Sequence, residues 1–95
     1  MTPDHITKVI EMYVGRLEAM EMHPMRMHPS RTFQSLSTSE ILMHARHLCE
    51  TVKEHNGVNQ EKTTRHLAAL QMCLSFAGIY TLDALMNHNR TENFQ

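Results

Sequence analysis

Residues 67–78 read Leu67-Ala68-Ala69-Leu70-Gln71-Met72-Cys73-Leu74-Ser75-Phe76-Ala77-Gly78, and this run decides the fold. It is apolar nearly all the way round a helix. At about 100° per residue, Leu67, Leu70 and Leu74 point one way while Ala69, Met72 and Phe76 point roughly opposite. One short antiparallel partner cannot cover both sides. Either two further helices sandwich this one, or a second copy of the chain covers the remainder, so Leu67, Leu70, Met72, Leu74 and Phe76 form the candidate oligomer interface. Asn59 supplies a cap where the helix begins, and Gly78 is its stop.

Upstream, Ser37-Thr38-Ser39-Glu40 has the capping-box spacing, in which Ser37 and Glu40 each satisfy the other's free backbone amide. A helix follows, with Ile41, Leu42, Ala45, Leu48, Cys49 and Val52 on one face, until the left-handed stop Asn56-Gly57. At the N-terminus Thr2, Pro3 and Asp4 are a helix-start signal. Ile6, Val9, Ile10, Tyr13, Val14, Leu17 and Met20 then recur at three- and four-residue steps, predicting an amphipathic helix over about residues 4–21. Downstream, Thr81 caps a short helix from Leu82 to about Asn89 that has Leu82, Leu85 and Met86 to bury. The polar tail, residues 90–95, reads as frayed. No segment sustains two-residue alternation. The expectation is a single all-α domain over residues 1–95, a three-helix bundle with an additional short C-terminal helix, assembled as an oligomer.

Between the first two helices, residues 23–37 carry Pro24, Pro29, Ser30 and Ser35 and no consistent period. Connectors longer than about 12 residues in compact domains are commonly functional or disordered, so this loop is the first place to look for a site.

Ninety-five residues make one domain, burying little more than ~60% of the unfolded surface. Nine Lys and Arg against ten Asp and Glu argue against general nucleic-acid binding, so any anion must be held locally. Eight histidines add positive charge under mildly acidic conditions. Cys49 and Cys73 lie inside helix patterns and read as free thiols of a reducing compartment. No leader pattern opens the chain, and no window reaches the ~18 apolar residues of a membrane span, so the expected location is cytoplasmic.

Enzymatic chemistry finds no support. The sequence has no Gly-x-Ser-x-Gly elbow, no Gly-rich phosphate loop, no Cys-x-x-Cys and no His-Glu-x-x-His pattern, and its acids are scattered singly. The near-repeat Met22-His23-Pro24-Met25 and Met27-His28-Pro29-Ser30, with Met20 upstream, offers thioether and imidazole ligands suited to Cu(I). Methionine is also flexible packing material, and packing or an adaptable contact surface is the preferred reading. His44 and His47, one turn apart, and His66 on the next helix are too few for a zinc site without supporting acids, and read better as histidines flanking the apolar stripe. No metal or cofactor is therefore assigned.

A set of cations surrounds the loop and helix starts: Arg26, Arg31, His23, His28, Arg65 and His66. Guanidinium groups clasp phosphate bidentately, so a pocket for a nucleotide-like anion is physically reasonable, with Arg26, Arg31 and Arg65 on phosphates, His66 beside them, and Tyr13 or Phe33 stacking a base. Against this, Tyr13 lies at the centre of the first helix's apolar arc and reads better as core, and the arginines read better as solvated.

The segment from Arg65 to Thr81, with Asn89-Arg90, resembles the C-terminal helix pair of a group of small tailed-phage proteins of unassigned function. Their pattern is roughly Arg-Trp-Leu-Gly-Phe-Ile-Gln-Gly-x-Leu-Trp, then Gly, two residues and Thr. Arg65, Leu67, Gln71, Leu74, Gly78 and Thr81 match it, whereas His66 stands at a Trp position, Ala68 at a Gly position and Ser75 at the second Trp. The similarity covers less than a third of the chain. It implies a phage accessory protein, a class that often acts without catalysis by binding a host protein or sequestering a host signal. The leading expectation is thus a non-enzymatic counter-defence factor inhibiting a host protein through protein contacts. The alternative is an oligomeric sponge for a cyclic-oligonucleotide signal, and soft-metal binding stands third.

Overall fold

Each helix starts on the side-chain cap that the sequence offers. In the computed structural model, which describes residues 1–90, α1 spans Pro3–Ala19, α2 Thr38–His55, α3 Gln60–Phe76 and α4 Leu82–His88. Thr2 Oγ1 accepts from His5 N–H, Asn59 Oδ1 from Lys62 N–H and Thr81 Oγ1 from Ala84 N–H, each at 3.1 Å. Ser37 and Glu40 close both halves of their box, at 2.8 and 3.1 Å. The frayed tail expected beyond Arg90 lies outside the described residues. Among the described residues there is no strand, and no helix is long and apolar enough to cross a membrane.

Helix α1 ends two residues before the expected boundary. Met22 N–H reaches back to Leu17 C=O at 3.0 Å and Glu21 N–H to Glu18 C=O at 2.9 Å, the paired bonds of a Schellman stop. That stop requires a left-handed residue, and here it is Glu21, at φ 61°. Helix α3 ends in the same way, with Ile79 N–H on Leu74 C=O at 2.9 Å, but there the left-handed residue is Gly78.

The core is built from one face of each helix: Ile6, Val9, Ile10, Tyr13 and Leu17 of α1, Ile41, Leu42, Ala45, Leu48, Cys49 and Val52 of α2, Leu67, Leu70, Cys73 and Leu74 of α3, and Leu85 of α4. Helix α3 is therefore not sandwiched. Its leucine side packs inward, and its opposite side, with Ala69 and Met72, faces outward. This corrects the interface expectation: Leu67, Leu70 and Leu74 are consumed by the chain's own core, so of the expected set only Met72 and Phe76, 46% and 59% exposed, are available to a partner.

Helix α4 is held by a polar cluster as much as by Leu85. Tyr13 Oη lies 2.8 Å from His88 Nδ1 and accepts from Gln71 Nε2 at 3.1 Å, while Gln71 and Asn89 exchange amide hydrogen bonds at 2.7 and 3.1 Å. His5 Nε2 meets the His88 carbonyl at 2.7 Å. These polar groups, paired with one another, fasten the chain's C-terminal segment to α1 and α3.

The connector between α1 and α2 is seated at several points. Met22 and Leu36 pack against the core near its two ends. Met25 N–H donates to Met43 C=O at 3.1 Å, and Met27 N–H to His44 Nδ1 at 3.2 Å. Arg31 closes a short 3-10 turn, Phe33–Ser35, by donating from Nη2 to Ser35 C=O at 2.6 Å and from Nε to Ser35 Oγ at 3.1 Å. The Phe33 ring stacks on Phe76 at the end of α3, with centroids 4.9 Å apart. The loop thus runs along α2 and reaches over to α3.

Candidate functional site: a cationic, histidine-lined groove

By lying along α2 and touching the end of α3, the loop encloses a groove of about 750 Å³. Helix α2 supplies His44, His47, Leu48, Thr51 and His55, positions spaced three and four apart on one face. Helix α3 adds Lys62 and His66, one turn apart, and the loop adds Arg26, His28, Arg31 and Phe33. Five of the eight histidines and three of the nine Lys and Arg residues line this one space. Among the described residues no carboxylate lines it.

The imidazoles sit in rows. His44 and His47 have ring centroids 5.8 Å apart, and His55 and His66 stack at 6.1 Å with planes 16° apart. Partial burial pushes the His44 pKa below the ordinary value of 6.5, and the charges of His47 and Arg26 push it the same way. His66 is lowered first by burial, then by Lys62, His55, Arg65 and His47. All of these neighbours repel a proton, so the groove lining concentrates positive potential, offset at the rim where Arg31 pairs with Glu40. Glu40, bonded to Ser37 and 3.7 Å from Arg31, is the acid that approaches the rim.

The structure brings Arg26, Arg31, His66 and Phe33 of the expected ligand set into this groove. It does not bring in Tyr13, which is fully buried beneath His88 and Tyr80; burial pushes its phenol pKa well above the usual value, and no base can stack on it. Arg65 is exposed on α3 and does not line the space. Arg31 is largely engaged in holding the 3-10 turn, so it shapes the loop as well as facing the groove. Phe33 gives one face to Phe76 and remains 40% exposed. His55, Lys62 and the α2 imidazole row were not singled out from sequence as anion ligands. The four-residue spacing of Lys62 and His66 was the available signal, but it becomes meaningful only once α3 is known to lie beside His55.

The structure separates the histidines of the two Met-His-Pro near-repeats. His28 lies in the groove and bonds Ser30 Oγ at 2.8 Å, whereas His23 lines a separate cleft with Glu18, Glu21 and Arg46. Among the described residues no three His, Cys, Asp or Glu side chains converge on a metal-sized point. Both cysteines are free and buried, with Cys49 pushed up to about 12 and Cys73 up to about 11 by desolvation, so neither offers a thiolate near neutrality.

No family model matches the chain, and neither the curated proteins nor the solved structures include a match to it.

Proposed function

We propose that this protein is a non-catalytic binding protein whose groove between α2, α3 and the 23–37 loop holds a phosphorylated ligand of the nucleotide class. One observation carries the reading: Arg26, Arg31, Lys62 and five imidazoles face a single space, with Phe33 at its side and no carboxylate lining it among the described residues. Nucleotides match that chemistry, with phosphates for the cations and a planar base for an aromatic edge. The resemblance of residues 65–90 to phage accessory proteins fits a role in sequestering a signal nucleotide. The test is calorimetric titration with ATP, a cyclic dinucleotide and tetrathymidylate at low salt. Lys62→Ala combined with Arg26→Ala is expected to weaken binding at least about tenfold while leaving the thermal melt unchanged, since each phosphate contact by a charged group contributes about 1.5–3 kcal/mol. Undiminished binding by the double variant, or no binding of any of the three ligands by the parent protein, rejects the groove.

A second reading is favoured by apolar side chains outside the groove. Met72 on α3, with Leu82 and Met86 on α4, is exposed, and adaptable Met-rich faces suit protein contacts. Here the protein acts as a homo-oligomer, or inhibits a host protein, through that face. Oligomer formation abolished by Met72→Glu, with ligand binding intact, would separate the two roles.

A further inference from the structure

His44 and His66 share the groove but differ in what their ring nitrogens can do. His44 Nδ1 already accepts the Met27 amide proton at 3.2 Å. The neutral ring therefore carries its hydrogen on Nε2, and protonating Nδ1 would set two donors face to face. His44 is thereby committed to anchoring the loop as a neutral imidazole. His66 has no such commitment: among the described residues its contact is a ring stack on His55, and no hydrogen bond to either nitrogen is made. It lies half-buried on the groove wall beside Lys62. The groups facing it are Lys62 and Arg65 from its own helix and His55 and His47 from α2, all of them bases. An unliganded His66 is thus surrounded by groups that oppose its protonation, and a bound dianion or phosphodiester would reverse that balance.

We propose that His66 is a proton-linked phosphate ligand: it binds phosphate as the imidazolium, so that the ligand enters with about one proton and is held more tightly as the surroundings acidify. The inference rests on the groove reading above and adds its regulation. Lys62 and Arg26 supply permanent charge, and His66 supplies the charge that depends on pH. A ligand captured in a mildly acidic setting would loosen on return to neutral or alkaline conditions.

Tetrathymidylate is the appropriate probe, because its phosphodiesters stay ionised and its bases stay neutral across the histidine range, leaving the protein as the source of any pH dependence. Calorimetric titrations between about pH 5.5 and about pH 8 should show affinity rising toward acid, by up to about tenfold per pH unit over the linked interval. Heats measured in two buffers of different ionisation enthalpy should report uptake of about one proton. His66→Gln should flatten the pH profile, and His66→Arg should give tight binding at every pH, with thermal melts confirming that both variants fold. His44→Gln serves as the contrast and should weaken binding through the loop while keeping the slope. Binding by the parent protein without pH dependence, or a slope that survives His66→Gln, overturns the proton linkage and leaves the groove assignment standing. Failure of tetrathymidylate, ATP and cyclic dinucleotide alike to bind at any pH overturns both.

Discussion

Two glutamate-and-glycine positions show how single residues set this fold. Helices α1 and α3 end in the same hydrogen-bonded stop, yet α3 places Gly78 at the left-handed position while α1 places Glu21 there, at φ 61°. A side chain in that conformation costs about 1 kcal/mol, which glycine avoids. Glu21→Gly should accordingly stabilise the protein by about 0.5–1 kcal/mol in urea unfolding, and Gly78→Ala should destabilise it by about 1 kcal/mol. A destabilising Glu21→Gly would mean that the carboxylate at the cleft with Arg46 contributes more than the backbone conformation costs. In the core, Leu70 is fully buried in the chain itself, so Leu70→Ala should cost about 2–5 kcal/mol whether or not the protein oligomerises. Were Leu70 an interface residue, that loss would instead vary with protein concentration.

At the scale of elements, the pH response of stability follows from imidazoles that the fold keeps neutral. His44, His66 and His88 all have lowered pKa values, each through burial first. The unfolded chain then binds protons that the folded one resists, in the window from the ordinary value of 6.5 down to the depressed folded values. The stability from these groups is fully present above 6.5 and is lost as pH falls through that window. The melting temperature should therefore drop between about pH 7.5 and about pH 5.5, measured by circular dichroism in a buffer without multivalent anions. Adding tetrathymidylate at the acidic end should restore part of it through ligand binding to the folded state. A melting temperature that rises on acidification contradicts the sign.

The elements were legible in the sequence because helix starts are local. Thr2, Ser37, Asn59 and Thr81 each cap the helix that their neighbours imply. The groove was legible only in part, since Arg26, Arg31 and Phe33 join His66 through a loop path that no three- or four-residue rule encodes. Tyr13 was ambiguous for a related reason. The periodicity put it on the apolar arc, but its partner His88 is 75 residues away, so the cluster that uses its hydroxyl had no sequence signature. The all-round apolarity of α3 resolves only in the fold, where the leucine side joins the core shared with α1 and α2 while Ala68, Ala69 and Met72 on the other side are exposed.

For the whole molecule, the question is what its outward apolar side chains are for once the core is complete. Met72 is 46% exposed on the face of α3 that also carries Ala69, a small residue over which another helix could approach closely. Ala69 follows Lys62 by seven residues and His66 by three, so this face adjoins the groove wall, and Met72 stands about a third of a turn round α3 from His66. Ala69→Glu combined with Met72→Glu should then convert the assembly to monomer in native mass spectrometry. It should change the unfolding free energy of the monomer by no more than about 0.5 kcal/mol, since neither side chain is buried in the chain's own core. Met72→Glu alone, placed further round α3 from Lys62 and His66, should leave nucleotide affinity per chain the same if each groove acts alone. A double variant with unchanged mass would place self-association elsewhere, and a parent protein that is already monomeric at micromolar concentration would remove it. In either case the groove, built from a single chain, would still be tested by its own titration.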